Sequence, residues 1–290
     1  MKKSLKSFLF VIPLVALSIM IFFSGCSRNS NKAIQIKGSD TMVNLGQAWA
    51  EEFMKEHPDI PIAVTGGGSG TGIAALIGGS TDIAQSSRQM EKKEIEAAEK
   101  KGIYPKEFHV ADDGIAVVVN PSNPVNKLTI KQLSDIFTNK TTNWRDVGGQ
   151  DKKIVVLSRE RNSGTHVFFL EHVVKFGDKK SKNEFAPGVL MMPSSQAIVE
   201  EVSNNKEAIG YFGLGYLTSK EKAVAVAKDE KSEGIVPSIK TVSNKTYPIS
   251  RSLQLYTNGE PKDKIKSFID FVMSPEGQKI VLKMDFVPVK

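Results

Sequence analysis

A strand-like run, a loop of small residues and a helix-like run follow one another in the stretch AIQIKGSDTMVNLGQAWAEEF, residues 33–53. The apolar run at residues 33–37 predicts a strand, and Leu45, Trp49 and Phe53 share one face of the predicted helix. The loop GSDT, residues 38–41, separates the two. Strand-like and helical runs alternate in this way through most of the chain, which predicts an α/β protein.

Two further loops of the same composition stand between a strand-like and a helix-like run: GSGTG at residues 68–72 and NSGT at residues 162–165. Glycine lets the backbone approach a ligand closely, hydroxyl groups donate hydrogen bonds, and the N–H groups at a helix N-terminus favour negative charge. Any one of these loops is also typical of ordinary helix capping. Three together predict one enclosed anion.

Arginine stands beside two of these features. The segment SRER, residues 158–161, leads directly into the third loop, and SSR, residues 86–88, follows an apolar strand. A guanidinium makes bidentate, charge-assisted contacts with phosphate-like oxygens. The combination of loops and arginines therefore predicts a tetrahedral oxyanion as the ligand.

The first 25 residues have the pattern of an export signal: early lysines, an apolar run at residues 8–23 and a small-residue cleavage site. The apolar run is shorter than the ~20 residues of a membrane span. Cys26 is the only cysteine, so an intramolecular disulfide is impossible. Its position after Phe23-Ser24-Gly25 resembles a bacterial lipobox, with Phe where that pattern prefers Leu. We expect cleavage before Cys26, lipid on its thiol, and a polar tether over residues 26–32.

The length of the chain predicts how many lobes it forms. A mature chain of about 265 residues exceeds the usual size of one core, so we expect two lobes. The β-branched run at residues 114–120 predicts a strand where the chain crosses between the lobes. The predicted lobes comprise residues 33–120 with 246–290, and residues 121–245. Two anion loops precede the first crossing and the third follows it, which predicts a ligand in the cleft between the lobes.

The formal net charge of +7 falls to +4 without the three signal lysines, which gives little support to nucleic-acid binding.

Five ordered motifs together resemble the phosphate-binding lipoproteins of bacterial phosphate ABC transporters. They lie at residues 37–42, 65–72, 82–88, 158–165 and 208–211, and the resemblance extends from residue 36 to about residue 289. It implies a two-lobed, periplasmic-binding-protein-like fold of type II with phosphate in the interlobe cleft. It also implies a monomer without cofactor, anchored by lipid on the extracytoplasmic face of the cell membrane, that delivers phosphate to membrane permease subunits.

The resemblance also implies which residues hold the ligand. A departure from some branches of the family is Ser87, where those branches have an aspartate that accepts the hydrogen bond of a protonated phosphate oxygen. Asp40 is the nearest replacement, although it could equally be a helix cap, and Asp82, Asp113 and Glu160 are alternatives. Arg88 could touch the anion or pair with a carboxylate across the cleft. The expected phosphate-binding set is Ser39, Asp40, Thr41, Ser69, Ser87, Arg88, Arg159, Ser163, Gly164 and Thr165.

Three other functions are alternatives to phosphate delivery: a receptor for another, sulfate-like oxyanion, a phosphate-ester hydrolase, and a surface sensor or adhesin. The chain has no Gly-x-Ser-x-Gly nucleophile elbow and no nucleotide-binding Gly-x4-Gly-Lys-Ser/Thr sequence. No two of its four histidines have the i, i+4 spacing of a metal-binding helix. We therefore expect neither enzymatic activity nor a metal, and we expect His166 to be a packed helix residue.

Overall fold

The structure, a computed structural model, describes residues 32–289. The predicted signal peptide and the predicted lipidation site Cys26 lie outside this part of the chain. Within residues 32–289, no helix combines the length and the apolar character needed to cross a bilayer. The predicted alternation of strands and helices is confirmed over this range.

Strands and helices alternate along most of this part of the chain. In chain order they are β1 (Ile34–Gly38), α1 (Val43–Glu56), β2 (Ile62–Thr65), α2 (Ser69–Ile77), β3 (Ile83–Ser86), α3 (Lys92–Glu99), β4 (Pro105–Val119), β5 (Lys127–Thr129), α4 (Ile130–Phe137), β6 (Val155–Arg159), α5 (Gly164–Phe169), β7 (Leu190–Met192), α6 (Ser195–Asn204), β8 (Ala208–Gly213), β9 (Lys222–Ala223), β10 (Ala225–Ala227), α7 (Ile239–Ser243), β11 (Ser250–Asn258), α8 (Asp263–Met273) and α9 (Pro275–Lys283).

A mixed sheet runs through the whole molecule in the order β2-β1-β3-β11-β4-β8-β6-β7, with β9 also paired to β4. Strands β5 and β10 form a separate parallel pair. The 15-residue strand β4 is longer than the predicted run at residues 114–120. It pairs with β11 along residues 105–114 and with β8 along residues 115–119, so this one strand belongs to both halves of the sheet.

Two sets of apolar residues give the molecule its two lobes. In the first lobe, helices α1, α8 and α9 pack Trp49, Phe53 and Phe268 against β1, β3 and β11. In the second lobe, aromatic side chains such as Phe137 and Phe169 cover β8 and the end of β4. Each lobe thus has its own apolar core, as expected for a chain too long for a single core.

The apolar partners change in the middle of β4. Ala111 packs in the first lobe and Ile115 in the second, and on β11 and the residue before it the change falls between Ile249 and Leu253. The packing therefore changes lobes a few residues before the predicted boundary at residue 120 and a few after the predicted return at residue 246. A short stretch of β4 and β11 is the two-stranded connection between the lobes.

Candidate anion-binding site

Hydroxyl groups from three separate segments meet where the two lobes face each other. Ser39 Oγ donates a hydrogen bond to Ser87 Oγ at 2.9 Å, and Ser69 Oγ lies 3.3 Å from the same oxygen. The backbone N–H of Ser87 also donates to Ser69 Oγ, at 3.1 Å. All three residues are buried. The structure thus brings together the first predicted loop, the second, and the end of β3.

The third predicted loop faces this cluster from the second lobe. A Cβ atom at Gly164 would lie 2.3 Å from Ser69 Oγ and 2.7 Å from Ser87 Oγ, so glycine is what permits this approach. One residue further on, Thr165 Oγ1 lies 3.0 Å from Thr41 Oγ1 of the first lobe. The hydroxyls of both lobes therefore form one continuous polar surface.

Ser163 has a different contact from the one expected of it. Its Oγ accepts hydrogen bonds from the backbone N–H groups of Thr165 and His166, at 3.2 and 3.4 Å, and so caps helix α5. Capping is the ordinary role of serine at this position. The residue is buried beside the cluster, and its contribution to anion binding stays a prediction.

Asn162 binds the second loop of the first lobe directly. Its carbonyl oxygen accepts from the backbone N–H of Gly70 at 2.9 Å, and its Nδ2 donates to Gly67 O at 2.9 Å and to Thr71 Oγ1 at 3.3 Å. These bonds join the lobes at the rim of the hydroxyl cluster. Asn162 was expected only as part of the loop, and its role in holding the lobes together comes from the structure.

Arg159 is buried at the end of β6 and is joined to Asp40 across the lobes. Its Nη2 donates to Asp40 Oδ2 at 2.6 Å, and Asp40 Oδ1 accepts from the N–H of Gly67 at 2.9 Å. The remaining contacts of the guanidinium are within the second lobe, to the carbonyl oxygens of Met192 and Pro193 and to Ser195 Oγ. Asp40 therefore neutralises the arginine that was expected to bind the anion.

Arg88 pairs with a carboxylate, but the partner is Glu94 of its own lobe and not, as was anticipated, a residue across the cleft. Its Nη1 and Nη2 donate to the two oxygens of Glu94 at 2.8 and 2.7 Å, a bidentate pair. Although burial lowers it, the hydrogen bond and charge of Glu94 raise the pKa of Arg88 above its ordinary value. The pair also closes the N-terminus of α3, because Glu94 accepts from the N–H of Glu91. This pairing gives no support to a contact of Arg88 with the anion.

A second buried arginine, Arg251, reaches the same hydroxyl cluster and was missed by the sequence reasoning. Its Nη2 donates to Thr41 Oγ1 and Thr165 Oγ1 at 3.1 and 3.0 Å, and its Nε and Nη2 both donate to Asp113 Oδ2. Burial raises the pKa of the Asp113 carboxyl and lowers that of Arg251, and the charge of each partner opposes the shift of the other. The sequence signal was an arginine beside a predicted strand, with no motif around it.

The other carboxylates considered for anion discrimination lie in different surroundings. Asp82 Oδ2 accepts from the N–H of Gln35, on the neighbouring strand, and Glu160 is exposed. Asp113 is committed to Arg251 and, through Oδ1, to the N–H of Leu214 at 3.0 Å. Asp40 therefore remains the candidate, because it alone of the four stands between two hydroxyl residues of the cluster.

His166 is a packed helix residue, as predicted. Its ring lies 4.6 Å from that of Phe185, and its Nδ1 is 3.2 Å from Ser158 Oγ, which in turn lies 2.6 Å from the hydroxyl of Tyr211. Burial lowers the pKa of His166 to about 4. Ser158 is fully buried, so this serine–histidine contact is part of the core packing. Among residues 32–289 no group of three His, Cys, Asp or Glu side chains is placed to hold a metal ion.

The site can therefore offer an oxyanion several hydroxyl groups, the backbone around Gly164 and two arginine side chains, all screened from bulk water. Hydrogen bonds to charged groups are strong in such surroundings. Each arginine is matched by one aspartate, Arg159 by Asp40 and Arg251 by Asp113. The cluster is consequently close to neutral before an anion enters.

Comparison with known proteins agrees with this geometry. The PBP superfamily domain matches residues 27–276. A phosphate-binding protein PstS of Pseudomonas aeruginosa is 34% identical over 283 residues, which covers 92% of this chain and 84% of that protein. A crystal structure of a phosphate ABC transporter substrate-binding protein with bound phosphate, from Clostridium perfringens, is 35% identical with a TM-score of 0.80, covering 89% of this chain and all of that one.

An ABC-type phosphate transport receptor from Vibrio cholerae is also similar, with 32% identity and a TM-score of 0.69 over 88% of this chain and 99% of that chain. Identity of this degree extends over most of each chain. The chain therefore belongs to the PBP superfamily and, within it, to the family of the PstS proteins.

Proposed function

We propose that the protein binds inorganic phosphate outside the cytoplasm and delivers it to a membrane ABC transporter for import. The observation that carries this proposal is the convergence of buried hydroxyls from both lobes around two arginines. The relatives support the ligand, since similar chains bear the name phosphate-binding protein PstS and one was crystallised with phosphate. The cluster has the donors that a tetrahedral oxyanion requires.

The proposed ligand-binding residues follow from their position in the cluster. Ser39, Thr41, Ser69, Ser87 and Thr165 supply hydroxyl groups, while Gly164 leaves the space that brings the two lobes together. Arg159 and Ser163 lie at the second-lobe edge of the same cluster. Binding replaces the hydroxyl–hydroxyl contacts with bonds to the anion, so each hydroxyl exchanges one partner for a charged one.

Asp40 has two proposed tasks in this site. It neutralises Arg159 and, by accepting a hydrogen bond from a protonated oxygen, it distinguishes phosphate from sulfate. Near neutral pH phosphate retains at least one proton and sulfate has none, so an ionised carboxylate binds the first and repels the second. Arg88 is left out of the ligand set because Glu94 accepts from both of its terminal nitrogens.

Closure of the lobes accompanies binding in this proposal. The Asp40–Arg159 pair and the bonds of Asn162 each join one lobe to the other. A ligand that touches both lobes stabilises the closed state by the contacts that the open state lacks. The closed, loaded form is the one that permease subunits would recognise.

The proposal places the protein on the extracytoplasmic face of the cell membrane, held by lipid on Cys26 after removal of residues 1–25. A Cys26→Ser change should leave the protein unlipidated, and metabolic labelling with a fatty acid should show loss of label. The soluble domain of this variant should bind phosphate as the parent does, because acyl chains act through CH₂ groups buried in the bilayer. Labelled protein in the Cys26→Ser variant would contradict the assignment.

Calorimetric titration of the soluble chain from Ser27 onward tests the function directly. Phosphate should bind one to one, arsenate should compete, and sulfate should bind far more weakly. Small-angle scattering with saturating phosphate should show a smaller radius of gyration and the mass of one copy. Absence of phosphate binding would refute the proposal, and steady release of phosphate from a phosphomonoester would indicate a hydrolase instead.

A further inference from the structure

Arg251 and Asp113 face each other at the connection between the lobes. They are directly opposite in the antiparallel pairing of β11 with β4. Ala111 and Leu253, two residues away on the first-lobe side, pack in the core of that lobe, and Ile115 and Ile249 pack in the core of the other. The ion pair therefore sits on the two strands that must bend when the lobes move.

The hydrogen bonds of Arg251 leave part of its guanidinium without a partner. Nε and Nη2 donate to Asp113 Oδ2 at 3.1 and 2.9 Å, and Nη2 also donates to the Thr41 and Thr165 hydroxyls. Nη1 has no hydrogen-bond partner although it is shielded from solvent. The second oxygen of Asp113 accepts from the N–H of Leu214 at 3.0 Å, and neither carboxylate oxygen is hydrogen-bonded to Nη1.

Arg159 differs in this respect. All three of its nitrogens donate to acceptors of the protein: Met192 O, Ser195 Oγ, Pro193 O and the Asp40 carboxylate. Of the two buried arginines, Arg251 is the one with an unused nitrogen. It also contacts hydroxyl residues of both lobes, whereas the only bond of Arg159 to the first lobe is to Asp40.

The geometry points to Arg251 as a direct anion-binding residue, held in place by Asp113, which joins the ligand to the strands connecting the lobes. This inference rests on the proposed phosphate-binding function. The anion accepts from Nη1 and from the hydroxyls of Thr41 and Thr165, which already lie within hydrogen-bond distance of Nη2. Because Arg251 is a residue of β11, contact of its guanidinium with the anion favours the arrangement of β4 and β11 found with the lobes closed.

Paired substitutions test the assignment. The double variant Asp113→Asn/Arg251→Gln removes both charges together, so no unpaired buried charge remains. Its melting temperature without phosphate should stay near that of the parent. Its dissociation constant for phosphate, measured by calorimetry, should rise at least about tenfold, the loss expected for hydrogen bonds to a charged group. Binding within threefold of the parent would overturn the inference.

Two further variants keep the test decisive. Arg251→Lys retains the charge opposite Asp113 but has no planar fork, so it should fold and still bind phosphate about tenfold more weakly. Unchanged affinity would overturn the inference even if the double variant failed to fold. The control Glu107→Gln is an acid-to-amide change on the same pair of strands, opposite Tyr256, and should leave phosphate affinity unchanged. If the parent protein did not bind phosphate, the proposed function itself would be refuted. If the parent bound phosphate and the variants bound it equally well, only the role of Arg251 would be refuted.

Discussion

Replacement of Asp40 by asparagine separates its two proposed tasks. The carboxylate accepts from Gly67 N through Oδ1 at 2.9 Å and from Arg159 Nη2 through Oδ2 at 2.6 Å. A carboxylate oxygen has two lone pairs, so each oxygen can accept one hydrogen bond more. Asp40→Asn keeps the size of the side chain and an acceptor for Gly67, but it removes the negative charge and one of the acceptor oxygens.

The expected change in selectivity follows from the net charge, which phosphate and sulfate share, and from the proton, which only phosphate carries. In mildly alkaline solution phosphate and sulfate are both mostly dianions. Loss of a negative charge about 4 Å away favours either by about 8 kcal/mol at an effective dielectric constant of ~20, which is about 4 kcal/mol for each unit of charge on the anion. This effect cancels in the ratio of the two affinities. The hydrogen bond from the remaining phosphate proton does not cancel, and a bond to a charged acceptor contributes about 1.5–3 kcal/mol. The preference for phosphate should fall about 10- to 150-fold.

Calorimetry of both anions at one pH and one ionic strength measures this ratio for the parent and for Asp40→Asn. Sulfate affinity should rise, and arsenate, which is protonated like phosphate, should follow phosphate. Asp82→Asn is the matched control, since this carboxylate binds the Gln35 backbone on the neighbouring strand. An unchanged ratio in Asp40→Asn would refute proton recognition and leave Asp40 as the partner of Arg159 alone.

Three further changes test the packing of the site. Arg159→Ala should weaken phosphate binding by about 3–5 kcal/mol, because a buried dianion loses a compensating charge, and calorimetric affinity within tenfold of the parent would contradict this. Gly164→Ala should weaken binding by about 1–3 kcal/mol, because the new Cβ would lie 2.3 Å from Ser69 Oγ, whereas Gly188→Ala, with no atom within 4 Å of its Cβ, should have no effect. Because the pKa of His166 is depressed in the folded protein, only the unfolded chain takes up the proton as pH falls from 6.5 toward about 4, and the folded protein loses stability. Denaturant titration should show a loss of at most about 3 kcal/mol in the free energy of unfolding. The loss should be absent in His166→Gln.

Local sequence was sufficient for most of the fold. Apolar periodicity placed α1 correctly, with Leu45, Trp49 and Phe53 buried, because the spacing of a buried face is a local property. Strand β4 came out longer than predicted, since residues 105–113 include charged positions that are paired with β11 and were not recognised as strand. Exposed polar residues carry little strand signal when the partner strand is unknown.

The three loops show what a chain determines by itself. Glycine and hydroxyl residues between a strand and a helix predicted where the backbone would turn, and the fold brings these loops together at one place. The carboxyl ends of the strands made this convergence predictable, since neighbouring strands end at a common edge. Family resemblance added the assignment of Arg159, although not its ion pair with Asp40.

The charge arrangement of the site was decided only by tertiary structure. Arg251 and Asp113 are 138 residues apart, and Arg159 and Asp40 are 119 apart. Neither pair has a local motif, because an ion pair in a core depends on strand register and on how the lobes meet. A one-residue shift in the pairing of β11 with β4 would turn Arg251 to the opposite face of the sheet, away from Thr41 and Thr165. The sequence thus determined the loops and the kind of ligand, while the register of two distant strands determined that Arg251 lies beside Thr41 and Thr165.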